Sequence, residues 1–302
     1  MTRRSASLSR PCRLVRSVSG GGHPIHGALF EPELGENRGV VVLHSHGTLG
    51  NFYFNPFIDE FARFYCENGI SFLTFNHLTH DAMAESEING KLEYIGGSVS
   101  DFSSCLDDFE ALRDFLGEIG YQHFIMQGHS LGCERVILDR QKASKSWPVI
   151  LLAPVNSYAT QHAWCTERLG LTVNELTERI LTNPSDALRT DIYGSPSSDP
   201  EWDYHIPVFE SAYLSFVQSE AFFYFSPERT SLTSIDEALV IFSKKDAFHS
   251  LYDGDLQDFF RSVVGVGSKF KAFDCNHDFE GRMNSVCEAC VAFVKERTGV
   301  FD

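Results

Sequence analysis

The strongest constraint on this 302-residue chain is a series of short, unbroken apolar runs that end in turn residues. The clearest is GVVVLHSHG at 39–47. Consecutive β-branched residues suit a strand covered on both faces, because a strand with one wet face would alternate with polar positions. Similar runs are ISFLTFNHL (70–78), HFIMQ (123–127), PVILLAPV (148–155), EALVIFSKKD (237–246) and KFKAFDCNHDF (269–279). Segments of helical period lie between them. Asn51 to Asn68 carries Phe57, Ile58, Phe61 and Phe64 and is closed by Gly69. Ser98 to Gly120 carries Phe102, Leu106, Phe109, Leu112, Phe115 and Leu116 in one stripe, with acids opposite. Ser130 to Lys142, Leu256 to Val264 and Gly281 to Arg297 read as further helices, and Asp81 to Gly97 as a surface loop. Regular alternation of strand and helix predicts an α/β fold with a mostly parallel central sheet and helices on both faces.

Two segments depart from this rhythm. At the N-terminus, CRLVRSVS and HPIHGALF are joined by Gly20-Gly21-Gly22 and read as a β-hairpin. Residues 1–10 before it form an expected disordered tail, with an organelle-targeting role for this Arg- and Ser-rich stretch as the alternative to a cytoplasmic protein. Residues 156–236 contain no clear buried strand, and about 80 residues is too long for an ordinary loop. They read as a mostly helical cap inserted into a core made of 11–155 and 237–302.

Composition narrows the function classes. A formal net charge of −16 argues against nucleic-acid and anionic-membrane partners, both of which need a basic face. No apolar stretch approaches the length of a membrane span. The eight cysteines are scattered and read as buried, reduced thiols.

The run HFIMQ leads directly into GHSLG at 128–132, so Ser130 falls where a strand becomes a helix. A serine on such a sharp turn lifts its Oγ clear of the sheet, and flanking glycines leave room for the turn. The amide of Leu131 then stands at a helix N-terminus, free to bind an oxyanion. A serine hydroxyl needs a base, and the base needs an acid to orient it. In such sheets catalytic groups gather at the carboxyl ends of strands. Asp246 and His277 each follow a strand there, ahead of His249, Asp253 and Asp255 near the first and Asp274 and Asp278 beside the second. The loop HSHGTLGN (44–51) offers Thr48 as a second oxyanion donor, and His46, Gly47 and Leu49 as residues against the substrate.

In this order the hairpin, HG loop, GHSLG elbow, insertion, Asp strand and His loop resemble the α/β-hydrolase superfamily over about residues 11–297. The stretch from Ile95 to Val136 is also similar to siderophore-esterase-like and uncharacterised serine hydrolases of that superfamily. The resemblance implies a Ser–His–Asp triad, a backbone oxyanion hole and a variable cap that sets substrate choice. Cys133 and Glu134 depart from the small residue many members carry after the elbow.

Other features have quieter readings. His44/His46 and His77/His80 have metal-pair spacings, yet the elbow chemistry needs neither metal nor cofactor, and core or pocket histidines are expected. Cys287 and Cys290 form C-x-x-C inside a helical pattern, away from the helix start that activates a redox thiol. Trp164, Tyr193, Trp202, Tyr213 and Phe216, with the run Phe222–Phe225, furnish the insertion with aromatics for its own core and for an apolar pocket wall. The expected activity is hydrolysis of an ester or thioester of a small, mainly apolar or aromatic acyl compound. Acyl transfer or cyclisation, C–C bond hydrolysis or lysis on the same triad, and a non-catalytic ligand-binding homologue are the alternatives. A small-molecule acyl substrate is the expected partner, and the homodimer is one assembly open to the chain.

Overall fold

The computed structural model describes residues 10–33, 37–55, 57–196, 204–226, 235–246, 248, 256–265 and 267–301. All but the last residue of the expected N-terminal tail, together with Trp202, His249, Asp253 and Asp255, lies outside the described residues. The chain runs through the hairpin β1 (Arg13–Val18) and β2 (Pro24–Phe30), then β3 (Val40–Ser45), α1 (Ile58–Glu67) and β4 (Ser71–Phe75). A small hairpin follows, β5 (Ala84–Ile88) and β6 (Lys91–Ile95). Next come α2 (Cys105–Glu118), β7 (His123–His129), α3 (Leu131–Lys142) and β8 (Val149–Leu152). After the insertion, β13 (Ala238–Ser243), α7 (Leu256–Val263), β14 (Lys269–Phe273) and α8 (Met283–Thr298) complete the chain.

Eight strands form one sheet in the order β1-β2-β4-β3-β7-β8-β13-β14. From β4 to β14 all neighbours are parallel, and the antiparallel pairings are those of β2 with β1 and β4. This is the α/β sheet expected from the alternation of elements. Its inner strands β3, β4, β8 and β13 are buried along their whole length because each residue faces one of two cores, whereas the edge strands β1 and β14 are largely exposed. Val41, Leu43, Phe124, Met126, Leu151 and Val240 point to the side of α2 and α3. Val40, Val42, Ile125, Ile150, Leu152 and Ile241 point to the side of α1 and α8.

Two segments differ from expectation. Residues 81–97 are largely the β5–β6 hairpin instead of a loop. Ile88 pairs with Lys91, so the turn is Asn89-Gly90, and both residues have positive φ (51° and 78°). That is the primed turn Asn-Gly favours, and it outweighed the polar character of the flanking strands. The first helix starts at Ile58 instead of Asn51, because Asn51 and Asn76 side chains take the backbone N–H groups of Tyr53 and Phe52. Local bonds of this kind compete with helix formation.

Residues 156–236 hold α4 (Ser157–Trp164), a π-helical turn at Cys165–Leu169, α5 (Val173–Thr182) and α6 (Glu210–Val217). The two-residue strands β9 (Leu188–Arg189), β10 (Gly194–Ser195), β11 (Tyr204–His205) and β12 (Val208–Phe209) pair β9 with β12 and β10 with β11. This segment shares its apolar interior with the core. Tyr213, Phe222, Tyr224 and Phe225 are buried in the same cluster as α2 and α3, and Phe216 packs 4.7 Å from Phe102 between ring centroids.

Two buried polar groups generate predictions. Tyr65 donates to Gln127 Oε1 at 2.6 Å, and Gln127 Nε2 is 3.0 Å from His44 Nδ1, all within the core under α1. Tyr65→Phe leaves the Gln127 oxygen unsatisfied and is expected to cost about 1–3 kcal/mol in urea unfolding; an unchanged midpoint would deny the network that role. Glu134 is fully buried in α3 with neither carboxyl oxygen hydrogen-bonded, and burial pushes its pKa up to about 8 from 4.5. The folded chain therefore keeps a proton that the unfolded chain has released. Its contribution to stability falls as pH rises between 4.5 and about 8, by up to about 1.4 kcal/mol per pH unit. Glu134→Gln retains the neutral shape, so its stability relative to the original chain is expected to grow from pH 5 to pH 8. A constant difference across that range would mean the carboxyl is not held neutral.

Candidate active site

The turn between β7 and α3 is tighter than an ordinary residue accepts. Ser130 caps α3 with φ 55° and ψ −127°, a strained positive-φ backbone for a residue with a Cβ. It is held there by its own N–H donating to Leu152 O at 3.0 Å and by Cys133 N donating to Ser130 O at 2.9 Å. The flanking glycines are sterically required. A Cβ on Gly128 would lie 2.3 Å from Gly132 O, and one on Gly132 would lie 2.3 Å from Ser45 O. Cys133 is buried beneath this turn, its Sγ donating to Gly128 O and Leu152 O at 3.2 and 3.4 Å. It packs as a small core residue.

Asp246 follows β13 and His277 follows β14, and both are buried. His277 Nδ1 lies 2.6 Å from Asp246 Oδ2, while Asp246 Oδ1 accepts from Phe248 N at 3.0 Å. The carboxylate is thus fixed by one bond and orients the imidazole with the other. Burial alone would lower the His277 pKa, but the charge and hydrogen bond of Asp246, with Asp278 behind, outweigh it and raise it above 6.5. Asp274, a competing acid, pairs instead with Lys245 at the surface. The His277 loop meets the elbow directly. His277 O accepts from His129 Nε2 at 3.1 Å, and the two rings are 4.7 Å apart. Burial and the neighbouring His277 push His129 well below 6.5, so it is neutral, with its proton on Nε2.

Leu131 supplies the first amide of α3, one of the N–H groups a helix start leaves without an intrahelical acceptor. The loop after β3 lies against the elbow, where a Cβ on Gly47 would come within 3.1 Å of Ser130 Cβ. Two cavities meet here. One of about 360 Å³ is lined by Ser130, Thr48, Ser157, Gln161, Tyr193 and Phe248. The other, about 480 Å³ with its mouth included, takes in Thr48, Leu49, Leu131 and Arg135 and is walled by Phe102, Tyr193 and Phe216. Thr48 and Tyr193 belong to both. The Phe248 ring that borders Ser130's cavity stands 5.0 Å from the His277 ring. His46, expected against substrate, lines neither cavity. Its ring is turned into the loop, with Nδ1 donating to Gly47 O at 2.9 Å and Nε2 accepting from His77 N at 3.4 Å.

Some residues here carried no clear signal in the sequence. Ser45 Oγ is 2.8 Å from His77 Nε2, and His77 Nδ1 is 3.2 Å from Asp108 Oδ2. By residue type this is a second Ser–His–Asp chain, yet all three are buried, line neither cavity, and Ser45 lies within a regular strand. It ties β3, the segment after β4 and α2 together under the loop. Arg135 is buried as well, donating to His46 O. Its one trace in the sequence was a Glu-Arg pair inside the apolar run LGCERVIL. Among the described residues no group of three or more His, Cys, Asp or Glu could hold a metal ion. Cys287 and Cys290 are buried within α8, and burial pushes the Cys290 thiol up to about 12, far from redox activation. No helix among the described residues is long and apolar enough to cross a membrane.

No family model and no curated protein matches this sequence. Solved structures do match its shape. The chain is similar to the α/β hydrolase GrgF from Penicillium sp. sh18, with TM-score 0.61, 14% identity, and 95% of this chain and 98% of that one covered. It is similar to the Pyrococcus furiosus esterase Pf2001, with TM-score 0.60, 13% identity, and 97% and 95% covered. A third match is Est1E from Butyrivibrio proteoclasticus bound to ferulic acid, with TM-score 0.59, 16% identity, and 94% and 100% covered. Sheet order, elbow and full-length structural likeness together identify the fold of this chain as the α/β-hydrolase fold.

Proposed function

We propose that the chain is a serine hydrolase that cleaves an ester or thioester of a small, mainly apolar or aromatic acyl compound. The observation that carries this reading is the 2.6 Å bond between His277 and Asp246, set against an elbow that holds Ser130 at positive φ. In this reading His277 Nε2 takes the proton of Ser130 Oγ as Oγ attacks the substrate carbonyl. The amides of Leu131 and Thr48 hold the oxyanion. Asp246 keeps the Nδ1 proton in place and stabilises the imidazolium. His277 returns its proton to the leaving group, and water releases the acyl group from Ser130 by the same steps in reverse order.

Residues 156–236 act as the cap over a core of 11–155 and 237–302. Tyr193 and Phe216 from this segment wall the larger cavity, which supports an apolar or aromatic acyl group. The Butyrivibrio esterase, described with ferulic acid bound, points the same way. The cytoplasm and a small-molecule acyl substrate complete the proposal, and no cofactor enters the chemistry.

Intact-mass measurement after treatment with a fluorophosphonate tests the nucleophile. One adduct is expected on the original chain and none on Ser130→Ala or His277→Ala; an unlabelled original chain would favour a ligand-binding homologue. A pH profile tests the base. Because Asp246 holds the His277 pKa above 6.5, and the neutral imidazole is the active form, kcat/KM on a p-nitrophenyl ester should rise through an apparent pKa above that value. In Asp246→Asn the limb should move to lower pH and the plateau fall by about 10⁴-fold. An unmoved limb would assign the titration to another group.

A further inference from the structure

We propose that Arg135 reads a carboxylate carried by the substrate, seated in the larger cavity between the oxyanion loop and the 156–236 segment. The inference deepens the serine-hydrolase reading, on which it rests for the reaction though not for the binding.

Arg135 is 1% exposed and lies on α3, five residues beyond Ser130. Its Nη1 donates to His46 O at 2.8 Å and its Nη2 to Thr79 Oγ1 at 3.0 Å. The guanidinium lies over the Phe102 ring at 5.5 Å, and Nε is buried with no acceptor. Among the described residues no carboxylate comes within ion-pair distance of it. The nearby acids are engaged elsewhere. Asp108 accepts from Leu78 N at 3.0 Å and bonds His77, and Asp139 takes both arms of Arg113 at 2.6 and 3.0 Å. Glu134, next to it in the chain, is the exception: neither carboxyl oxygen has a hydrogen-bond partner, but burial raises its pKa to about 8 and so keeps it uncharged at neutral pH. The same pair of helices therefore pairs the half-buried Arg113 in full and leaves the buried Arg135 without a carboxylate at ion-pair distance.

A buried cation without a partner is costly unless something supplies the charge. Here the cation borders a cavity whose walls are otherwise largely apolar, with the hydroxyls of Thr79 and Ser100 beside it. A guanidinium fork matches a carboxylate in shape and charge. Leu131 and Thr48 border the same cavity, so a carbonyl held by their amides and a carboxylate at Arg135 would belong to one molecule. Arg135 Nη1 bonds His46 O, two residues before Thr48, so a short aliphatic chain or one aromatic ring bridges the two places. The substrate class is thus an ester or thioester bearing a free carboxylate at its far end.

Arg135 also braces the loop through His46 O, so the test must separate bracing from recognition. The kcat/KM ratio for mono-p-nitrophenyl adipate over p-nitrophenyl hexanoate does so, since bracing affects both esters equally. The original chain should favour the adipate ester. The ratio should fall by at least about tenfold in Arg135→Met and be partly kept in Arg135→Lys. An unchanged ratio with both rates reduced together would overturn the proposal. Calorimetry on Ser130→Ala needs no change at 135 and no turnover. Monomethyl adipate should bind more tightly than dimethyl adipate, and equal binding would overturn the proposal. If neither ester is turned over and no phosphonate adduct forms, the hydrolase reading fails, while the calorimetric comparison, repeated with Arg135→Met added to Ser130→Ala, still decides the role of Arg135: the preference for the monoester should be lost, and a retained preference would overturn the proposal.

Discussion

The contact on which this structure depends is the approach of the first turn of α3 to the end of β3, backbone on backbone. No side chain fits between Gly132 and the carbonyls of Ser45 and His46, nor between Gly128 and Gly132. That closeness forces Ser130 into its positive φ, and the strain is repaid by bonds from Leu152 and Cys133 and by the packing of two strands and a helix around it. It also has a geometric consequence. With Gly132 pressed on Ser45, the loop that follows Ser45 must run beside the helix N-terminus. Two amides from distant parts of the chain, Thr48 and Leu131, are thereby brought to the border of one cavity. The spacing of potential oxyanion donors is thus a by-product of sheet and helix packing.

A loop in that position needs support from below, and polar groups supply it where an apolar core could not. His46 bonds Gly47 O, Ser45 bonds His77, His77 and Leu78 N reach Asp108, and Arg135 bonds His46 O and Thr79. Burial drives His46 and His77 well below the ordinary histidine range, so both act as neutral, directional donors and acceptors. His277 is the exception among the buried histidines around the elbow. A carboxylate at 2.6 Å reverses the effect of burial and raises its pKa. An acid against the ring does not by itself decide the outcome: Asp108 stands 3.2 Å from His77, yet burial, with Arg135 nearby, keeps that ring well below 6.5, whereas Asp246 outweighs burial at His277.

Much of this arrangement was legible because it follows from local rules. Unbroken β-branched runs pointed to strands buried on both faces, and their alternation with helices to parallel pairing, as found from β4 to β14. Gly128, Gly132 and the strand-to-helix switch marked the elbow, and Asp246 and His277 stood at strand exits where they are hydrogen-bonded. The hairpin of residues 84–95 was hidden by its charged, exposed strands, although Asn89-Gly90 carries the turn signal. The late start of α1 depends on Asn76, which is distant in sequence and takes up Phe52 N. His46 looked like a substrate contact from its neighbours in the chain; the direction of its ring is set by His77, thirty-one residues away. Apart from that local hairpin, what sequence reading missed depends on pairings between distant segments.

The different parts played by the sheet turns and by residues 156–236 follow from the same geometry. Ser130, Asp246 and His277 sit on turns fixed by the sheet, so loop variation elsewhere can leave them in place. Tyr193 and Phe216 come from the 156–236 segment, which packs on α2 and on the Phe102 turn through apolar contacts that tolerate exchange of similar volumes. Arg135 belongs to neither class. It lies on the elbow helix, held by the loop that braces the site, and its charge faces the wall built by the insertion. A change at 135 is therefore felt by both sides, as a lost brace below and a lost cation above. Such a change also disturbs the loop, whereas the aromatic wall across from it accepts exchanges of similar volume.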